Sequence, residues 1–251
     1  MRAILGSNTT ASEYSASCPW PLSSERRIPI HPDCRSRLVY LTDPEGLAVE
    51  SYRLLRRRLN TLHPKGGVVL MTSPSSGEGK TLTSINLAWS LAEARFPTCL
   101  VDLDFRAPGI SRTLDYTFQD GGVQEVIEGN AEVHDVVHRL GEHPLSVLGI
   151  RKRLSSPGYL FCSPSMTTMV AELRGMFKWV ILDFAPVIPM ADVSEMIPYV
   201  DGAILVVRTG KTAKDMLPPA IEAIGPKLWG VVANDCKING SAYYGYYGQK
   251  R

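Results

Sequence analysis

An α/β fold, with a mostly parallel sheet and helices on both faces, is predicted for this 251-residue chain by three observations. Short apolar runs (Gly67-Val68-Val69-Leu70, Thr98 to Val101, Trp179 to Leu182, Gly202 to Val207, Trp229 to Ala233) alternate with stretches of helical periodicity. Between the first run and the helix after it lies Ser73-Pro74-Ser75-Ser76-Gly77-Glu78-Gly79-Lys80-Thr81, a glycine-rich turn ending in Lys-Thr. Finally Lys80, Asp102, Asp104 and Asp183 all fall at the carboxyl ends of predicted strands, where open parallel sheets bind their ligands.

Composition narrows the class. A formal net charge of +2 speaks against a broadly basic nucleic-acid surface, so no nucleic-acid partner is expected. The five cysteines are odd in number, widely spaced and without a C-x-x-C pair, which fits a reducing compartment better than a disulfide framework or zinc site. No apolar run approaches the roughly 18 residues of a membrane span. A cytoplasmic chain that reaches membranes only through a partner is expected.

Residues 1–38, rich in Ser, Pro and Arg and without periodicity, are read as a flexible arm, and residues 39–237 as the folded domain. The first helix is predicted to start at Asp43, as cap, with Pro44 in its first turn. Tyr52, Leu55, Leu59 and Leu62 give it an apolar face, and Glu50, Arg53 and Arg57 gather on the opposite one with Arg56 to the side. In the glycine turn, small residues let successive N–H groups point at phosphate oxygens, and the helix beginning at Lys80 adds its positive end. Lys80 would bridge the outer phosphates and the Thr81 hydroxyl would hold Mg²⁺. Pro74 departs from the strict G-x-x-x-x-G-K-[ST] pattern. Along the next strand, alternation sets Asp102 and Asp104 on one side, a costly pairing unless a cation or an incoming donor compensates it.

Val123, Val126 and Ile127 predict a helix after Gly121-Gly122, and residues 132–140 another, with His134 and His138 at i, i+4. No third ligand or H-E-x-x-H glutamate accompanies that pair, so no metal site is expected there. Residues 145–148 read as a strand, 150–160 as a loop, and 165–177 and 212–224 as helices. Asp183 closes its strand as the carboxylate expected to hold water on Mg²⁺. The terminal segment 238–251 carries Tyr243, Tyr244, Tyr246 and Tyr247 among glycines and is read as a mobile, tyrosine-rich tail.

In combination and order, these motifs resemble the bacterial tyrosine kinases that control capsule and exopolysaccharide synthesis, in the form whose kinase is a separate cytoplasmic chain. The resemblance covers residues 38–251 and implies a three-layer, P-loop NTPase-like fold. Ser76-Gly77-Glu78-Gly79-Lys80-Thr81 is similar to the family's Walker A, which commonly lacks the first glycine. Asp102-Leu103-Asp104-Phe105-Arg106 is similar to its second Walker A-type motif, and Ile181-Leu182-Asp183 to its Walker B. Glu50, Arg53 and Arg56 match its E-x-x-R-x-x-R element, which implies assembly of a homo-oligomeric ring. The terminal tyrosines resemble the cluster these kinases phosphorylate in trans.

The resemblance implies ATP and Mg²⁺ as cofactors, and transfer of the γ-phosphoryl group to a tyrosine hydroxyl. Residues 76–82, including Leu82, would hold the nucleotide, with Asn234 at the adenine edge and Arg208 nearby. Thr81, Asp104 and Asp183 would serve the metal. Asp102 is the candidate to accept the phenol proton, although Asp104 could exchange roles with it. A membrane-embedded polysaccharide co-polymerase or activator is the implied partner. Phe184-Ala185 stand where the family usually has Thr-Pro, which bears on rate. The alternatives are a positioning ATPase of the chromosome-partitioning or division-site kind and a nucleotide-sensing scaffold. The positioning ATPases usually carry a second lysine early in the loop, and Ser75-Ser76-Gly77-Glu78 has none.

Overall fold

The computed structural model describes residues 26–30, 37–188 and 192–236. Eight strands form one sheet in the order β1-β4-β5-β3-β6-β2-β7-β8. They are β1 (Arg27–Ile28), β2 (Gly67–Thr72), β3 (Thr98–Asp102), β4 (His138–Leu140), β5 (Leu145–Leu148), β6 (Trp179–Asp183), β7 (Gly202–Arg208) and β8 (Leu228–Asn234). All neighbouring pairs are parallel except β4 with β5.

The central strands are buried on both faces, which is why they read as unbroken apolar runs. Their side chains alternate. Val68, Leu70, Val101, Val180, Leu182 and Leu205 pack on one side with the helix Pro164–Met176 and the helix Leu217–Ile224. Val69, Met71, Leu100, Ile181, Ile204 and Val206 pack on the other with the helices Leu47–Leu62 and Lys80–Glu93. In this register Asp102 of β3 stands beside Asp183 of β6, and Met71 of β2 pairs with Asp183 from the other side. The phosphate-loop strand and both acidic strand ends are therefore adjacent.

Three expectations change. The stretch read as an arm contributes β1, which pairs with β4 and buries Ile28 completely, and Leu38 is also buried. The helix expected from Asp43 begins at Leu47 behind an extended Gly46. Asp43 instead ends the short helix Val39–Thr42, its N–H donating to the Val39 carbonyl, because Leu38 and Tyr40 dock in the core and turn the chain first. The helix expected over 132–140 stops at Val136. Val137 is extended and His138 enters β4, buried, with Nδ1 3.0 Å from the Val136 carbonyl. His134 and His138 thus share no helical face.

Candidate nucleotide and phosphoryl-transfer site

At the carboxyl end of the sheet a cavity of about 1090 Å³ is lined by Ser75, Ser76, Gly77, Gly79, Lys80, Thr81 and Leu82 on one side. Asp104, Arg106, Arg112, Arg208 and Asn234 are among the residues on the other sides. The loop owes its shape to glycine. Gly77 and Gly79 have φ of +77° and +88°, the left-handed region that favours a residue without a β-carbon. A β-carbon on Gly79 would also lie 2.0 Å from Asn234 Nδ2, so a larger residue there would be strained and would displace the Asn234 side chain. Gly79 caps the helix Lys80–Glu93, leaving the first amides of that helix directed towards the cavity end of the sheet.

Lys80 is 6 % exposed and draws the acidic residues together. Its Nζ lies 3.1 Å from Asp183 Oδ1 and 3.4 Å from Asp104 Oδ2. Burial works to lower its pKa, but the charges of Asp183, Asp104 and Asp102 outweigh burial and hold it above the ordinary lysine value. Asp183 is wholly buried and holds two further donors: Oδ1 also accepts from Ser84 Oγ at 3.0 Å and Oδ2 from Thr81 Oγ1 at 2.6 Å.

The two aspartates at the end of β3 differ in kind. Asp104, 7 % exposed, lines the cavity. Asp102 does not line it. It is fully buried, and its oxygens accept the N–H groups of Asp104 and Ile110, each at 3.1 Å. Burial, then the neighbouring Asp183 charge, push its pKa up to about 8 against the opposing pull of those N–H groups and Lys80.

Two other expected ligands are occupied with the protein itself. Glu78 is 2 % exposed and does not line the cavity; its carboxylate accepts from Ser75 Oγ, from the Arg208 N–H and from Thr212 Oγ1. Its side chain is therefore a structural tie, which leaves the backbone N–H as the part of Glu78 available to a phosphate. Asn234 lines the cavity, but its Nδ2 donates to the Glu78 carbonyl at 3.0 Å and its Oδ1 accepts from the Asp235 N–H. Arg208 lines the cavity with its guanidinium paired to Asp235. Ser84 was not anticipated, although its place one turn beyond Lys80 on the same helix was a usable signal. Thr212 lies 134 residues from Glu78 and left no sequence signal. Tyr243, Tyr244, Tyr246 and Tyr247 lie outside the described residues.

The residues present fit a nucleotide triphosphate with Mg²⁺. A loop that favours glycine, a helix amino terminus and a buried ammonium suit the phosphates, and the Thr81 hydroxyl with two carboxylates gives the hard oxygen donors that Mg²⁺ prefers. A phosphate loop of this build beside two acidic strand ends of a parallel sheet defines a P-loop nucleotide-binding domain. Residues 69–242 match the family model described as the CobQ/CobB/MinD/ParA nucleotide binding domain.

The chain is 30 % identical over 218 residues to the tyrosine-protein kinase YwqD of Bacillus subtilis, covering 85 % of this chain and 92 % of that protein. It is 31 % identical over 206 residues to the tyrosine-protein kinase CpsD of Streptococcus pneumoniae, covering 80 % and 91 %. Among solved structures, the VpsO kinase domain superposes with a TM-score of 0.70 at 27 % identity, over 76 % of this chain and 96 % of that one. The chain belongs to the bacterial tyrosine kinases, within the CobQ/CobB/MinD/ParA nucleotide-binding family.

Proposed function

We propose that this chain is an ATP-dependent protein-tyrosine kinase of capsule or exopolysaccharide synthesis that phosphorylates its own terminal tyrosines in trans. The observation that carries the proposal is the convergence of three sequence-distant strand ends: Lys80 Nζ meets both Asp104 and Asp183, Thr81 donates to Asp183, and Lys80, Thr81 and Asp104 line the cavity with Asp183 buried directly behind them. Phosphoryl transfer needs positioning and charge neutralisation more than covalent chemistry, and this arrangement supplies both.

Lys80 and the loop amides of residues 76–81 hold the phosphates. Thr81 and Asp104, with Asp183 behind them, would hold Mg²⁺, which would neutralise charge on the transferred group. The phenol, with an ordinary pKa near 10, gives its proton to the Asp102–Asp104 pair. Within that pair Asp104 faces the cavity, and Asp102 grips its backbone N–H from behind. Arg208 and Asn234 bound the nucleoside end.

Incubation of the purified chain with ATP and Mg²⁺ produces an anti-phosphotyrosine signal. That signal is lost when Tyr243, Tyr244, Tyr246 and Tyr247 are all phenylalanine, while ATP binding is retained. Steady ATP hydrolysis without phosphotyrosine would overturn the proposal.

The ring contact is assigned to Glu50, Arg53 and Arg56. Within the chain Arg53 bridges Glu50 at 2.6 Å and Glu93 at 2.7 Å, and Arg56 reaches Glu93 at 2.9 Å and the Ser90 carbonyl at 2.7 Å. The two arginines thereby join the helix Leu47–Leu62 to the helix Lys80–Glu93, so assembly through this face would touch the helix that carries Lys80. Combined alanine substitution of the three yields a smaller species on size exclusion, and an unchanged elution volume would count against the contact. Recruitment to the membrane falls to a membrane-embedded polysaccharide co-polymerase, the partner class the family resemblance implies. Among the described residues no helix is long and apolar enough to cross a membrane.

A further inference from the structure

The turn after β7, Arg208-Thr209-Gly210-Lys211-Thr212, is fastened to the phosphate loop although more than a hundred residues separate them in sequence. It closes on itself through the N–H groups of Lys211 and Thr212, which donate to the Arg208 carbonyl at 3.1 and 2.9 Å. Gly210, at φ +73°, supplies the left-handed residue the turn requires. The Arg208 N–H is shared between Glu78 Oε2 and Thr212 Oγ1, at 2.7 Å each, and Thr212 Oγ1 donates to Glu78. Glu78 Oε1 then accepts from Ser75 Oγ at 2.7 Å, inside the loop. A buried carboxylate with this many donors is held in one place.

The clasp has a product. Lys211 Nζ comes within 3.1 Å of the point where a β-carbon on Gly77 would stand, and Gly77 lines the cavity. Residues 73–79 contain no cationic side chain. The Lys211 ammonium makes no hydrogen bond or ion pair among the described residues, and its long stem lets it follow a ligand.

We propose that Lys211 is a further phosphate-binding residue of the nucleotide site, brought to the loop from the turn after β7, with Glu78 and Thr212 as its positioning residues. The inference rests on the nucleotide-site reading and adds to it a second cation, one that lies outside the loop motif. The ligand class is a nucleoside triphosphate with Mg²⁺.

Calorimetric titration of the full chain with Mg·ATP tests it. Lys211→Ala weakens binding about five- to tenfold, the loss shrinks as salt is raised, and Lys211→Arg recovers most of it. Lys214→Ala, a neighbouring exposed lysine, leaves the affinity at the parent value. Thr212→Val weakens binding by a similar factor and Thr212→Ser restores it. Adding Lys211→Ala to Thr212→Val costs nothing more, as expected when one residue acts through the other.

Parent-like affinity in Lys211→Ala, an equal loss in Lys214→Ala, or full additivity with Thr212→Val would each overturn the proposal. Lys80→Ala separates the two levels. If it abolishes binding while Lys211→Ala does not weaken it, this inference alone fails; if it binds as tightly as the parent, the nucleotide-site reading fails with it.

Discussion

Lys80→Ala is expected to reduce tyrosine phosphorylation by at least about a hundredfold and to lower the melting temperature in the same preparation. The ammonium is almost wholly enclosed, and it is the positive charge that reconciles Asp104 and Asp183 with burial. Without it two buried carboxylates and Asp102 beside them lose their counter-charge, a change that costs about 3–5 kcal/mol when one partner of a buried pair is removed. Asp102, whose pKa Lys80 pulls down against burial, then takes up its proton at higher pH than in the parent. Phosphotyrosine by immunoblot and a thermal melt at neutral pH read the two effects. Activity within a few-fold of the parent would remove Lys80 from the phosphate site.

Asp183→Asn should lower the transfer rate by about two to three powers of ten with a smaller loss of stability. The residue is wholly buried and anchors Lys80, Thr81 and Ser84 at once. An asparagine keeps the shape and one accepting oxygen. Its NH₂ can still donate to the Thr81 or Ser84 hydroxyl, because hydroxyls accept as well as donate. What disappears is the negative charge that offsets Lys80, orients the Thr81 hydroxyl as an acceptor toward the site and would serve the cation. The same substitution removes the charge that, after burial, pushes up the Asp102 pKa, which should fall. Single-turnover rates at saturating Mg·ATP isolate the transfer step, and a rate near the parent's would place Asp183 outside the chemistry.

Much of the site was legible because its chemistry obeys short-range rules. Gly77, Gly79, Lys80 and Thr81 sit where strand, turn and helix meet, and a left-handed loop before a helix can be read from adjacent residues. Asp102 and Asp183 were legible as carboxylates ending apolar runs, since a fully buried strand must surrender its apolar character where it leaves the core. The helical spacing of Val123 and Ile127, and of the segment closing at Met176, is likewise local.

The failures share one cause. β1 has only Arg27 and Ile28, too short for a period, and exists because β4 offers it an edge. The helix expected through His138 was overruled when pairing with β5 drew that residue into the sheet. The ties that Glu78 and Asn234 make, to partners 130 and 156 residues away, likewise left no local signal.

By itself, then, the sequence determined the layered α/β class, the phosphate loop and the acidic strand ends, because backbone conformation, side-chain period and burial are properties of neighbouring residues. Only the tertiary structure decided which carboxylate faces the cavity, which is sealed behind it, and which side chains fasten the loop to the turn after β7. Those choices depend on the strand order that sets β6 between β3 and β2 and β7 beside β2. A hydrogen bond between residues far apart in sequence exists only once that order has been adopted.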